Sequence, residues 1–227
     1  MKGKRLLWSL LILALPWGGG CMELEEEDVE NPWWWELPYA REVVSFQPGT
    51  GAGYGAANFP DVVLGPPQGR GSFSGSLDVL SLGAGGEIIL SFQGREIVNG
   101  EGVDFVVFEN PFWPDGDPEE VFAELGEVSV SLDGESWHVF ECSFEPEDAP
   151  PYRGCAGWTP TLRFEPEEVV PLELELTGGD GFDLSQVGLE RARYVRIRDL
   201  WGVGESPTRG FDLDGVGLIH FEEIEGE

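Results

Sequence analysis

Between about Tyr39 and Phe221 the sequence nowhere sets apolar residues at the spacing of an amphipathic helix of ordinary length. What recurs is short apolar or alternating runs bounded by Gly, Pro, Asp and Asn, the pattern of strands joined by turns. Without helices to build a bundle or to cover a parallel sheet, such a chain must place its core between β-sheets. Its 33 Gly and 17 Pro are about a fifth of 227 residues, below the roughly 25–30% that marks low-complexity disorder. The 14 Phe and 9 Trp supply bulk for a core.

Strands are expected at Glu42 to Phe46, Asp61 to Leu64, Asp78 to Leu82, Glu87 to Phe92, Val103 to Glu109 and Glu127 to Leu132. Four more follow at Trp137 to Phe140, Pro171 to Leu176, Tyr194 to Leu200 and Val216 to Phe221. Strands this short with turn signals between them predict one all-β sandwich or jelly roll over residues 39–221. VDFVVFE is apolar on both faces and reads as a central strand. In EVSVSLDGESWHVF, Val128, Val130 and Leu132 alternate with Ser129 and Ser131, Asp133-Gly134 makes a turn, and Trp137 and Val139 are expected to resume the inward face.

One motif occurs twice. GFDLSQVGL at Gly181 to Leu189 and GFDLDGVGL at Gly210 to Leu218 match at seven of nine positions, 29 residues apart. That offset is too short for a duplicated domain. The expected device is an Asp-capped turn feeding a strand, with Asp183 and Asp212 accepting backbone N–H groups.

The first residues carry an address. Lys2, Lys4 and Arg5 precede a 12-residue apolar run, Leu6 to Trp17, followed by Gly18, Gly19, Gly20 and Cys21. The run is too short for the ~20 residues of a membrane span and fits an export signal. Cys21 directly after small residues resembles the lipidation site of a bacterial lipoprotein, with Gly18 standing where a Leu is usual. The resemblance implies cleavage after residue 20 and a lipid on Cys21, and Met22 in place of an Asp favours the outer membrane. Residues 21–38 include MELEEEDVENP and read as an acidic tether; residues 222–227 form an acidic tail.

The 43 acidic residues against 13 basic ones give a formal charge of −30, and Lys2 and Lys4 are the only lysines. Nucleic acid is excluded as a partner, because phosphate binding needs clustered cations. An anionic lipid surface would not hold this chain by charge, so the expected membrane tie is the lipid anchor alone. With Cys21 set aside, Cys142 and Cys155 are an even remainder in an exported chain, most simply a disulfide, with two free thiols the alternative.

Several segments carry a family likeness. GGEIILSF, VDFVVFEN, VSVSLDGESWHVF, ARYVRIRDL and FDLDGVGLIHF, in this order over roughly residues 86–221, resemble the discoidin, or coagulation-factor C-type, domains of the galactose-binding-like jelly rolls. FPDVVLGPP, GSLDVLSLG, DFVVFENPF, GCAG, GGDGFDL and GFDLDGV resemble a group of bacterial exported proteins known only as cell surface proteins. The jelly-roll likeness implies a sandwich whose loops bind glycans, lipids or proteins, often with a structural calcium ion.

The residues support calcium in their own right, because hard cations take several oxygens presented by Gly/Asp loops. DGDPEE places Asp115, Asp117, Glu119 and Glu120 in one turn, GGDGFD offers Asp180 and Asp183, and GFDLDG offers Asp212 and Asp214. The last matches part of an EF-hand loop through Asp212, Asp214, Gly217 and Glu223, but Val216 and the strand-like residues after it argue against that. Asp104 and Glu109 on a central strand would need partners, for which an ion or an Arg such as Arg196 could serve.

No G-x-S-x-G elbow occurs, and GAGYGA is followed by prolines that forbid the helix of a dinucleotide site. His138 and His220 lack ligand spacing and read as structural. Trp113, Trp158, Trp201 and Tyr152 fall in expected loops, where aromatic faces can stack on sugar rings; core or edge packing is the competing role. The sequence thus predicts a surface-anchored, non-catalytic binding or adhesion module for a glycan or another extracellular ligand. A structural envelope lipoprotein with a protein partner is the alternative, and a carbohydrate-active enzyme a third.

Overall fold

The computed structural model describes residues 31–117, 120–144 and 152–224. The signal at residues 1–20, Cys21 and most of the tether, Glu119, and the last three residues lie outside these. The strands in chain order are β1 (Glu42–Gln47), β2 (Leu80–Ser81), β3 (Glu87–Ser91), β4 (Arg95–Val98), β5 (Phe105–Phe108), β6 (Gly126–Ser131) and β7 (His138–Val139). They continue with β8 (Cys155–Ala156), β9 (Asp180–Phe182), β10 (Arg191–Ala192), β11 (Tyr194–Asp199), β12 (Asp212–Leu213), β13 (Gly215–Leu218) and β14 (Phe221–Glu223). Among the described residues the α-helix is confined to α1 (Leu174–Thr177), beside five short 3-10 turns.

The protein is an all-β sandwich with antiparallel pairing. The larger sheet runs β1-β3-β11-β6-β7, with β8 also on β6, and the facing sheet runs β13-β5-β9. Smaller ladders, β10-β4-β14 and β12-β2, close the ends. Alternation explains the core: Ile88 and Leu90, Val128 and Val130, and Val195 and Ile197 point inward to meet Phe105, Val107, Val216 and Leu218. The Phe105 ring stacks on Phe182 at 5.2 Å and meets Phe140 edge-on at 5.9 Å. The other face of β5 is covered too, with Val106 and Phe108 packed against Tyr39 and Leu172. Burial on both sides is why this strand is apolar throughout.

Two expected strands take other forms. Asp61–Val63 is a 3-10 turn that buries Val62 and Val63; Pro60 precedes it and Pro66 and Pro67 follow, so the short apolar run cannot enter a ladder. The run from Pro171 crosses the outer face of β5, buries Leu172 there, and ends in α1 with Leu176 exposed. The hairpin forms, with a shifted face. Ser129 pairs with Val139 and Val130 with His138, which puts Phe140, not Val139, inside with Val128. Trp137 lies on the outer face, its ring under the Arg196 guanidinium at 4.3 Å.

Strands β4, β8, β9, β10, β12 and β14 escape the sequence reading, and β4 shows why. Its residues REIV include two buried charges, each neutralised from another strand. Glu96 takes both Arg191 and Arg193, and Arg95 donates to Glu223 at 2.6 Å. Arg95 also donates to the carbonyls of Leu37 (2.6 Å) and Glu36 (3.1 Å). Cys142 and Cys155 form a disulfide.

The two copies of the repeat flank the same strand. The first pairs β9 with β5, and the second pairs β13 with β5 on its other side. Phe182 and Leu184 in one copy, and Phe211 and Leu213 in the other, are buried anchors. Their aspartates differ: Asp183 accepts the Ser185 N–H at 2.8 Å and caps a turn, whereas Asp212 is buried and accepts from the side chains of Ser81 and Asn110.

Candidate functional site

An open groove of ≈ 1100 Å³ lies between the 3-10 turn at Trp33–Glu36, the segment from Asp61 to Asp78, and residues 163–167. Each wall is fixed from behind. Arg41 donates to the carbonyls of Trp35 and Gln93 (2.8 Å for the latter) and covers the Trp35 ring at 4.7 Å. Gly65, in the left-handed region, lies flat against Trp34, where an added Cβ would come within 2.6 Å of the indole. On the third side Thr161 donates to the Glu109 carbonyl at 2.6 Å. Trp33, Trp34 and Phe164 give the groove aromatic surface, and Trp33 is 65% exposed. Gln68, Ser76 and Asp78 add polar groups. Arg70 and Arg163 also line it, and neither side chain has a partner among the described residues. By contrast, Arg95, Arg191, Arg193, Arg196 and Arg198 are engaged with acids.

Behind the groove is a group of buried carboxylates. Glu109, just past β5, is 1% exposed; one oxygen accepts the Asp212 N–H at 3.0 Å and the other has no partner. Asp180 accepts the N–H groups of Gly157 and Trp158, at 2.7 and 3.1 Å, on one oxygen, while its second oxygen is unpartnered. Burial pushes Glu109 well above the usual carboxylate range, and Asp212, Glu124 and Asp180 nearby raise it further. Glu124 is pushed up to about 8 by burial and by Asp212 and Asp199. Asp212 rises to about 6 through burial, partly offset by Ser81 and Asn110. Asp180 also rises to about 6 through burial, offset by Thr159, Trp158 and Gly157.

Of the acids expected to bind calcium, Glu109, Asp180 and Asp212 therefore come together. Asp104 does not join them. It accepts the N–H groups of Gly100 and Leu184, both at 2.7 Å, and contacts His220 at 2.9 Å. Asp183 is the turn cap already described. Asp214 stands apart, accepting the Gln68 N–H at 2.9 Å beneath the groove. Arg196 is no partner of Glu109; it donates to Ser129 at 2.9 Å on the outer face. Among the described residues no group of three or more His, Cys, Asp or Glu side chains could hold a metal ion.

The expected ligand aromatics are divided. Trp201, 47% exposed, meets Tyr152 at 6.4 Å and exposed Phe144 at 6.2 Å, forming a small patch. Trp113 and Trp158 are half-buried elsewhere. The groove itself escaped the sequence reading. The run of three tryptophans was visible, but nothing in it says that distant Arg163 and Phe164 face it.

No protein-family model matches the sequence, and no curated protein matches it. Solved structures give distant likenesses. A glycoside hydrolase matches at 13% identity with a TM-score of 0.29, over 60% of this chain and 19% of its own. The C-terminal domain of a chitobiase from Bacteroides fragilis matches at 12% identity with a TM-score of 0.36, over 81% of this chain and 95% of its own. This chain thus spans about a fifth of the length of the glycoside hydrolase.

Proposed function

We propose that the protein is a non-catalytic binding module that takes a glycan in the groove, displayed at the cell surface by a lipid on Cys21. The observation that carries this reading is the groove, with an indole open to solvent beside two unengaged guanidinium groups. Sugar rings present C–H faces that stack on indole and hydroxyls that accept from Arg. The surrounding charge of −30 repels polyanions, so a neutral or amino-bearing glycan is the matching class. A binding role is further supported by the burial of Glu109 and Asp212, which keeps that pair away from a substrate. The exposed patch of Phe144, Tyr152 and Trp201 favours a second reading, a protein partner in the envelope.

A glycan array with Trp33→Ala and Arg163→Ala separates these. The expected result is wild-type binding to a subset of glycans, lost at least tenfold in either variant with melting temperature unchanged. A wild type that binds no glycan, or variants that bind as it does, refutes the groove.

A further inference from the structure

We propose that Arg70 and Arg163 form a carboxylate subsite in the groove, and that the sugar held there carries one carboxylate beside an amino group. This rests on the glycan reading of the groove and narrows its amino-bearing class. The two residues are far apart in sequence, and the fold lays their backbones side by side. Gly71 donates its N–H to the Thr161 carbonyl at 3.1 Å, and a Cβ on Gly69 would come within 2.6 Å of that carbonyl and 2.5 Å of the Leu162 one. Both arginines are exposed and line the groove.

Each backbone is held before any ligand arrives. Ahead of Arg70, the Gln68 N–H donates to Asp214 at 2.9 Å, and the Gln68 carbonyl accepts the Ser76 hydroxyl at 2.9 Å. Ahead of Arg163, Leu162 donates its N–H to the Thr177 carbonyl at 2.8 Å, and the Thr161 hydroxyl is fixed to Glu109. A side chain on a fixed backbone loses less freedom on binding. Among the described residues neither guanidinium has an ion-pair partner, although 43 acids outnumber 13 basic residues and Asp61, Asp78, Glu165 and Glu167 line the same groove. Two neighbouring cations without a counter-charge, in so acidic a chain, are what an anionic group on a ligand completes.

Charge and shape select that group. The guanidinium is a planar fork that matches a carboxylate in bidentate contact. A phosphate monoester brings close to two negative charges into the field of a chain at −30, which opposes its approach. One carboxylate offset by an amino group on the same sugar meets no net repulsion. The amino group has acceptors in Asp61, Asp78, Glu165 and Glu167, and the Trp33 indole offers a face to the ring's C–H groups.

Isothermal titration of the purified protein with four monosaccharides, at one ionic strength, separates the charges. Glucose carries neither group, glucosamine the amine alone, glucuronic acid the carboxylate alone, and muramic acid both. The expected result is that muramic acid binds at least tenfold more tightly than glucosamine or glucuronic acid, and that Trp33→Ala weakens every sugar that binds. In Arg70→Gln and Arg163→Gln, made separately, the ratio of muramic acid to glucosamine affinity should fall to near one, with the melting temperature unchanged. A wild type that binds glucosamine and muramic acid equally, with both weakened in Trp33→Ala, overturns the carboxylate subsite and leaves the groove reading standing. A wild type that binds none of the four in the groove overturns the subsite too. A muramic acid advantage that survives in either folded arginine variant overturns the assignment to this pair.

Discussion

Asp214 offers a quantitative test of how this fold handles its acids. The side chain is 3% exposed; one oxygen accepts the Gln68 N–H at 2.9 Å and the other has no partner. Burial, with Asp78 nearby, pushes its carboxyl up to about 8. In the unfolded chain it titrates near 3.9. Between those values the folded protein keeps a proton that the unfolded chain has released, so stability falls as pH rises. The stabilisation is fully present below about pH 4 and lost by about pH 8, a span of about 6 kcal/mol at about 1.4 kcal/mol per unit. Against a total of about 5–15 kcal/mol for a typical domain this is a large fraction.

Asp214→Asn keeps an acceptor for Gln68 and cannot ionise. It places an N–H donor where the unpartnered oxygen was, at a cost of about 1–3 kcal/mol that is the same at every pH. The difference between variant and wild type should therefore move towards the variant by several kcal/mol from pH 4 to pH 8.5. Urea unfolding followed by tryptophan fluorescence, at constant ionic strength and with chelator in both samples, measures it. Taking the difference cancels the repulsion that the other acids contribute in both proteins. Parallel curves, with a difference constant to within about 1 kcal/mol, would refute the argument.

Opening the Cys142–Cys155 link, which closes a separation of 13 residues, should cost about 3 kcal/mol on the chain-entropy account; denaturation of Cys142→Ser/Cys155→Ser beside the wild type reads this, and an unchanged midpoint refutes it. Cys21→Ser should release the protein from the membrane fraction, and a variant that still floats with membranes would place the anchor elsewhere.

Features set by neighbours in sequence were the legible ones. The two-faced apolar run of β5 announced its central position, and the alternation in β3, β6 and β11 announced the facing layer. Illegible were elements whose reason lies across the molecule. Glu96 looks like a surface residue until Arg191 and Arg193 arrive from other strands. The face of Val139 depended on the hairpin register, and one residue of shift moved it outside. At the carboxylate cluster, Asp180 and Asp212 stood out because each lies in a Gly/Asp motif, and Glu109 because it is a charge on an otherwise apolar central strand. Glu124, in the plain run FAELGE, had no such signal, and only packing against Asp212 distinguishes it. The groove depended on residues 33 and 163 meeting, which no local pattern encodes.

Arg95 ties the carbonyls of Glu36 and Leu37 to the carboxylate of Glu223. Entry and exit of the domain are thereby knotted at one guanidinium, itself seated over the Phe221 ring at 5.0 Å. A pull on either end of the chain is met at that clasp before it can peel β4 or β14 from the sandwich. Trp33, on the groove's wall, lies three residues before Glu36. Tension on the lead-in segment therefore acts, within one turn of backbone, directly on the wall that an occupant of the groove would touch.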